Sequence, residues 1–325
     1  MNSQKVTIIM YHYVRDLKHS RYPEIKGLDI SLFYEQIGYL NKHYQFITME
    51  MLIDALENDS ALPDKSVLLT FDDAYSDHFK YVFPFLDKHK IQGSFFPPVK
   101  AIAEHRVLDV NKIHFILASE SDKSKIISEI RNELNKYRRD HNLESFEFYY
   151  DKLAKANRFD TADVIFIKRL LQVELEESLR KIITNNLFEK IVGIDEGAFS
   201  RELYMDIQQI QCMNRNGMHI GSHGYDHYWL GSLDEQKQRM EIEKAIEFLT
   251  LIGSDIDNWT MCYPYGNYNE TTIELLKEYN CKLALTTEVD IAYIRKNNRY
   301  TLPRLDTNDL PKDKNSATND WYLKG

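Results

Sequence analysis

Short apolar runs and longer amphipathic segments alternate along both ends of this chain. Val6 to Met10 ("VTIIM") has the length and make-up of a strand. "SLFYEQIGYLNKHY" follows, with Phe33, Ile37 and Leu40 at helical spacing. Thr48 stands where it can cap a second short helix, "MEMLIDALEN". Ser66 to Phe71 ("SVLLTF") is nearly all apolar and rich in strand formers, which predicts a strand buried on both faces. Tyr81, Phe85 and Leu86 share a helical face that runs to about Lys90, and "GSFFP" (Gly93 to Pro97) is the next strand. A β-helix-β rhythm of this kind predicts a parallel sheet with crossover helices, an α/β fold.

The rhythm stops between about Asn111 and Phe199. "KSKIISEIRNELNKYRRD" and "DTADVIFIKRLLQVELEESLRKIITNNLFEKIVG" are long amphipathic patterns with few breakers. Their dense charge reads as a solvated helix face, so this stretch is expected to be a helical insertion or cap. It leaves the sheet just after the "SFFPP" strand, which suggests a lid or an oligomer surface beside the strand ends. The βα rhythm then resumes. "DIQQIQCMNRNG" is a helix closed by Gly217, "MHIGS" a strand, and "SLDEQ" a capping box with Ser232 at the cap and Glu235 three residues on. "WTMCYP", "KLALTT" and "YTLPRLD" are further strands, and Asn269 caps "ETTIELLKEYN". The polar tail after Pro311 is expected to be loose.

Composition narrows the function classes. The chain has 325 residues, 43% hydrophobic and 28% charged, with a formal net charge of −9. That acidity argues against a general nucleic-acid or anionic-membrane partner, which needs basic surface. No apolar run reaches the length of a membrane span. "MNSQKVTIIMYHYV" lacks the apolar core and small-residue cleavage site of a signal peptide, so the expected location is cytoplasmic. Cys212, Cys262 and Cys281 show no close pairing, which argues against a disulfide framework or a thiolate zinc site.

Four places carry candidate chemistry, each where a predicted strand ends. Ligands of parallel sheets bind at the carboxyl ends of strands. In "TFDDAYSD", Asp72 and Asp73 repel each other unless a cation is shared or one is protonated, although one of them could simply cap the next helix. In "SHGYDH", His223 and His227 are four apart; with one carboxylate they make a frequent zinc or iron donor set, or else they are two unrelated histidines. "CYPYGNYN" places Pro264-Tyr265-Gly266 in a tight turn, either an ordinary one or one that aims a backbone N–H into a cleft. His12, in "MYHYV", taken alone reads as a core or turn histidine bonded to a carbonyl.

Taken together, "TFDD", "HGYDH" and "YPYG", in that order, resemble the motifs of the polysaccharide deacetylase family, the NodB-type domain of carbohydrate esterase family 4. The resemblance covers about Lys5 to Ile102 and about Leu203 to Asp306. It implies a distorted (β/α) barrel with a large helical insertion: barrel over 1–110, insertion over 111–199, barrel again over 200–310, and a tail over 311–325. It implies metal-dependent removal of N-acetyl groups from an amino sugar in a glycan precursor, an oligosaccharide or a polysaccharide. Asp73, His223 and His227 then correspond to the metal ligands, and Asp72 to the general base. The ion expected is zinc, with cobalt, nickel or iron suiting the same donors. The backbone N–H of Tyr265 corresponds to the oxyanion donor.

Two departures follow. Most members carry the general-acid His in a late motif, and this chain has no His after His227. Some members have an apparently permuted order and carry a "YH" at the first strand, which "MYHYV" resembles; His12 is then the expected general acid, with Asp306 a candidate partner. Many members also have an Arg three residues before the motif Tyr. Cys262 stands there, and Arg304 in "LPRLD" is the expected substitute. The competing readings are a metal-dependent hydrolase of a non-sugar amide and a non-catalytic carbohydrate-binding relative.

Overall fold

The computed structural model describes residues 4–157 and 160–325. In chain order the elements are β1 (Gln4–Tyr11), β2 (Val14–Arg15), β3 (Leu28–Asp29), α1 (Ile30–His43), β4 (Gln45–Phe46), α2 (Met49–Asn58), β5 (Ser66–Asp72), α3 (Phe83–His89), β6 (Gly93–Phe96) and α4 (Val99–Ala103). Six helices follow: α5 (Asp109–Ser119), α6 (Lys123–Tyr137), α7 (Phe146–Leu153), α8 (Ala162–Arg169), α9 (Glu177–Ile191) and α10 (Glu196–Leu203). The remainder is α11 (Ile207–Arg215), β7 (His219–Ile220), α12 (Glu235–Ile252), β8 (Met261–Cys262), α13 (Glu270–Glu278), β9 (Ala284–Leu285), β10 (Ala292–Ile294), β11 (Leu305–Asp306) and α14 (Asp320–Lys324). The chain divides into two compact units. One comprises residues 1–16, 27–105 and 200–325; the other comprises 17–26 and 106–199, so a short segment near the start of the chain groups with the helices.

In the first unit the main sheet runs β10-β1-β5-β6-β7, with β11 on β1 and β4 on β5. All of these pairings are parallel except β10 on β1. The register sets Tyr11 opposite Phe71 and Asp72 opposite Phe96, so the carboxyl ends of β1, β5 and β6 reach one edge together. Every residue of β5 is buried, as its nearly all-apolar run predicts. Phe71 stacks between Tyr11 and Phe95, with ring centroids 4.9 and 4.7 Å away, and these rings form the layer beneath the strand ends. Hydrogen bonding leaves this sheet open. The β8–β9 pair is separate, tied by single bridges from Ser222 to Met261 and from Leu285 to Leu302.

Local signals explain most helix ends. Thr48 accepts from Met51 N–H and Asn269 from Thr272 N–H, both as expected of caps. Gly217 takes the left-handed φ of +83° that ends α11, and Met218 N–H reaches back to the Met213 carbonyl. Three expectations need correction. Ser232 does not open α12: its Oγ donates to the Trp229 carbonyl, and Asp234 caps the helix instead. The helix expected around Tyr81 begins as a π-helical turn, His78–Val82, and becomes regular only at Phe83. Pro84 has no N–H to close a regular turn there, which accounts for the change. The tail is docked rather than loose. Asn319 donates to the Asp309 carbonyl, Lys314 pairs with Glu35, and Trp321 and Tyr322 pack on the main core.

In the second unit, α5 and α9 pack together through Phe115, Phe188 and Phe199, whose rings meet edge to face. The long amphipathic pattern after Asp160 is broken by a π-helical turn at Leu170–Glu174 into α8 and α9.

The loop after β7, residues 223–227, is held from two sides. Val99 and Lys100, opening α4, donate their backbone N–H groups to the carbonyls of Gly224 and Tyr225. From α12, one carboxylate oxygen of buried Glu241 accepts from the N–H groups of Tyr225 and Asp226, at 2.8 and 2.9 Å. Burial pushes the Glu241 carboxyl up to about 7, against the opposing pull of those two donors. A raised folded value means that this group's contribution is complete below its ordinary value of 4.5 and is lost as pH rises through about 7. Glu241→Gln keeps an acceptor for the loop and removes the titration. Its stability relative to wild type should therefore rise by roughly 1–3 kcal/mol between pH 5 and pH 8. Thermal unfolding across that range tests this, and a constant difference between the two proteins would refute it.

Candidate active site

β5 delivers two adjacent carboxylates to the strand edge, and the structure gives them different surroundings. Asp72 ends the strand at 1% exposure. Arg304, fully buried just before β11, grips it with both arms of its fork: Nη1 to Oδ1 at 3.0 Å and Nη2 to Oδ2 at 2.8 Å. Two further guanidinium donors are placed, Nε to the Thr286 carbonyl and Nη1 to Thr70 Oγ1. Burial alone would raise the Asp72 carboxyl, but the charge and hydrogen bonds of Arg304, together with the neighbouring His223 and His12, outweigh it and hold the carboxyl well below the usual carboxylate range. Cys262 Sγ lies 3.4 Å from both Asp72 oxygens. Burial pushes this thiol well up, so it is an S–H donor to the carboxylate rather than a thiolate.

Asp73 turns away from Asp72 because the chain takes a left-handed φ there (+69°) and again at Ala74 (+53°). Its Oδ2 accepts from Tyr75 OH at 2.7 Å. Its Oδ1 is buried and has no hydrogen-bond partner among the described residues. That oxygen lies 3.5 Å from His223 Nε2 and 3.5 Å from His227 Nε2. Burial pushes both imidazoles down to about 4, so they are neutral near pH 7 and do not form ion pairs with Asp73. His223 spends its one proton on the Cys262 carbonyl, Nδ1 to O 2.7 Å, which leaves Nε2 as a bare lone pair facing Asp73. Two acceptors held this close without a shared proton repel each other unless a cation sits between them. Asp73, His223 and His227 together fit a divalent ion, with the His223 tautomer fixed from behind as metal-bound imidazoles usually are. A second grouping, Asp72, His223 and Cys262, is close enough by distance. Its thiol is protonated and its carboxylate is already paired with the Arg304 cation, so it fits a metal ion less well.

His12 follows the last residue of β1, with a partly exposed ring (40%) whose Nε2 is 3.8 Å from Asp72 Oδ2. The carboxylate beside it is Asp72, not Asp306. Asp306 is taken up in capping the turn at Thr307–Asp309, accepting from Asn308 N–H. Tyr265 adopts a left-handed φ of +57°, and Gly266 follows at +66°. A Cβ on Gly266 would meet Thr287 Oγ1 at 2.1 Å, so only glycine fits this turn. The Tyr265 ring lies edge-on to His227 and stacks on Trp229, 4.5 Å between centroids. The structure thus brings Asp72, Asp73, His12, His223, His227 and Arg304 into one cluster, with Tyr265 against His227. Sequence reasoning missed the Glu241 brace, the Cys262 contacts and the Thr286 carbonyl. None of these carries a local signal, because each acts on a residue far away in the chain.

A family model described as polysaccharide deacetylase matches residues 59–141 and 187–284. These segments contain Asp72, Asp73, His223, His227 and Tyr265 and stop short of His12 and Arg304. No curated protein matches the chain by sequence. Among solved structures, the chain is similar to the deacetylase PplD of Streptococcus pyogenes, determined with acetate (TM-score 0.57, 18% identity, 95% of this chain and 94% of that one). It is similar to IcaB from Ammonifex degensii (0.56, 18%, 99% and 96%) and to a de-N-acetylase from Aggregatibacter actinomycetemcomitans (0.52, 13%, 97% and 97%). At these identities the likeness is one of fold; the matched family model carries membership, and the chain belongs to the polysaccharide deacetylase family of NodB type.

Proposed function

We propose that this protein is a metal-dependent hydrolase that removes N-acetyl groups from an amino sugar. The observation that carries the reading is the pair of opposed environments at the end of β5: Asp72 neutralised by Arg304, and Asp73 with a bare oxygen facing two neutral imidazoles. Asp73, His223 and His227 would hold one divalent ion, zinc by preference, though cobalt, nickel or iron suit two imidazoles and a carboxylate equally. When bound, such an ion supplies a polarised acyl carbonyl and a more acidic water. The bridges at Ser222 and Leu285 support reading the sheet as a distorted barrel with the site at its rim.

The chain's own residues then divide the proton work. Asp72, ionised at any working pH, accepts the proton of the attacking water. The Arg304 fork and the Cys262 thiol keep its two oxygens fixed while it does so. The backbone N–H of Tyr265, in its left-handed turn, is the donor for the oxygen that gains charge as the carbonyl becomes tetrahedral. An amide nitrogen leaves only when protonated, and His12 Nε2, beside Asp72 and open to solvent, is placed to deliver that proton. The C–N bond breaks, water is consumed, and acetate and the free amine leave.

Three measurements test this. Acetate release should be detected from at least one N-acetylated sugar nucleotide or oligosaccharide, should vanish on chelation and should return with zinc; no release from any of them by metal-loaded protein would defeat the proposal. His223→Ala should lose bound metal by elemental analysis, and full occupancy in that variant would take His223 out of the donor set. His12→Ala should lower kcat for amide hydrolysis by about 10²–10⁴-fold with metal content unchanged. An activated ester needs little help in leaving, so its hydrolysis should fall less. Near-normal amide hydrolysis, or loss of metal, would remove His12 from the acid role.

A further inference from the structure

The turn that carries Asp72 and Asp73 runs straight on into a set of side chains that grip the segment carrying His12. His78, fully buried at the start of the π-helical turn, has its Nε2 2.7 Å from the backbone oxygen of His12. A carbonyl can only accept, so this nitrogen carries the ring's proton. Burial pushes the His78 imidazole down to about 4, so the ring is neutral and its other nitrogen bears none; that Nδ1 is buried with no hydrogen-bond partner among the described residues. One residue on, the Tyr13 ring stacks on Tyr75 at 4.1 Å, and Tyr75 OH is the group that donates to Asp73. Three residues on, Arg15 binds Asp77 Oδ2 through Nε at 2.9 Å and Nη2 at 2.5 Å. Residues 75, 77 and 78 thus hold residues 12, 13 and 15.

A buried imidazole with one nitrogen unsatisfied is a costly way to fill a core position. An apolar residue of that volume would fill it without a stranded acceptor. What His78 supplies that an apolar side chain cannot is the bond to the His12 carbonyl. That carbonyl lies in the gap between the end of β1, at Tyr11, and β2, at Val14; Leu28 of β3 donates to the next carbonyl, that of Tyr13, and His78 to that of His12. π-Turns such as His78–Val82 occur often at functional sites.

We propose that His78 is a positioning residue for His12: its Nε2–H fixes the backbone of His12 so that the ring stays beside Asp72, and the Asp77–Arg15 pair steadies the same segment. This rests on His12 being the general acid. A small displacement of an acid costs its step far more than it costs folding or metal binding.

His78→Phe, His78→Gln and Asp77→Asn test the proposal in the metal-loaded full chain. His78→Phe removes the donor and keeps the bulk; kcat for amide hydrolysis should fall about 10–100-fold, while activated-ester hydrolysis falls less than about threefold and metal content is unchanged. His78→Gln keeps a donor near the Nε2 position and should recover most of the amide activity. In a His12→Ala background, His78→Phe should add nothing. Equal losses on amide and ester, no recovery with glutamine, or a further loss without His12 would each overturn the proposal. If His78→Phe does not fold, the other two decide: amide activity retained in His78→Gln and selectively lowered in Asp77→Asn supports it, and the reverse overturns it. His12→Ala separates the two levels. If that variant keeps its amide activity, the acid reading itself has failed; if it loses activity while His78→Phe does not, only the positioning role has failed.

Discussion

A carboxylate that is 1% exposed and still ionised is the constraint around which this site is arranged. Removing such a charge from water costs several kcal/mol unless a partner with excellent geometry compensates it. Arg304 does so with a two-armed grip, and its own burial is supported by Thr70 and the Thr286 carbonyl, which take two of its other donors. The pair therefore ties the end of β5 to the segment after β9 and to the start of β11. Breaking such a pair by truncating one partner typically costs roughly 3–5 kcal/mol, because the other charge is left stranded. Its worth here is less in net stability than in fixing both Asp72 oxygens and their charge.

The second carboxylate is arranged in the opposite sense. Nothing neutralises Asp73 Oδ1, and the nearest groups are two neutral rings, of which His223 turns a bare lone pair toward it. Two adjacent aspartates thus differ in kind, one with both oxygens gripped by Arg304 and one with an oxygen left bare. The left-handed turn at Asp73 and Ala74 is what separates them, sending Asp72 toward Arg304 and Asp73 toward the histidines. This is the division of labour that a hydrolytic site built on two carboxylates requires, with environment rather than residue type assigning the roles.

Cys262 joins the two halves. Its carbonyl holds the His223 ring and its thiol reaches Asp72, so a residue that replaces the family's usual Arg remains in contact with the same carboxylate. Arg304, from just before β11, supplies the charge. The loop bearing His223 and His227 is held with comparable economy, by two backbone donors of α4 and a single oxygen of Glu241. The placement of these two histidines rests on backbone hydrogen bonds, which tolerate little rearrangement.

The sequence by itself determined what depends on neighbours a few positions away. The nearly all-apolar run of β5 dictated a doubly buried strand, and the two aspartates at its end were placed at the strand edge by that alone. The His223–His227 spacing, the Thr48 and Asn269 caps and the left-handed Gly217 were legible for the same reason. Where a local signal had a stronger local rival, as Ser232 had in Asp234, reading the sequence chose wrongly. What only the tertiary structure decided are the contacts that cross the fold. Arg304 and Asp72 are 232 positions apart, Cys262 and Asp72 190, and His78 and His12 66. Resemblance to a family named Arg304 and His12, but no pattern in the chain says that Arg304 grips Asp72 with both arms, that Asp72 rather than Asp306 faces His12, or that His78 holds the His12 backbone. Hydrophobic periodicity and capping act over one or two turns of chain. The partner of a buried charge is chosen by which strand ends the sheet brings to one edge.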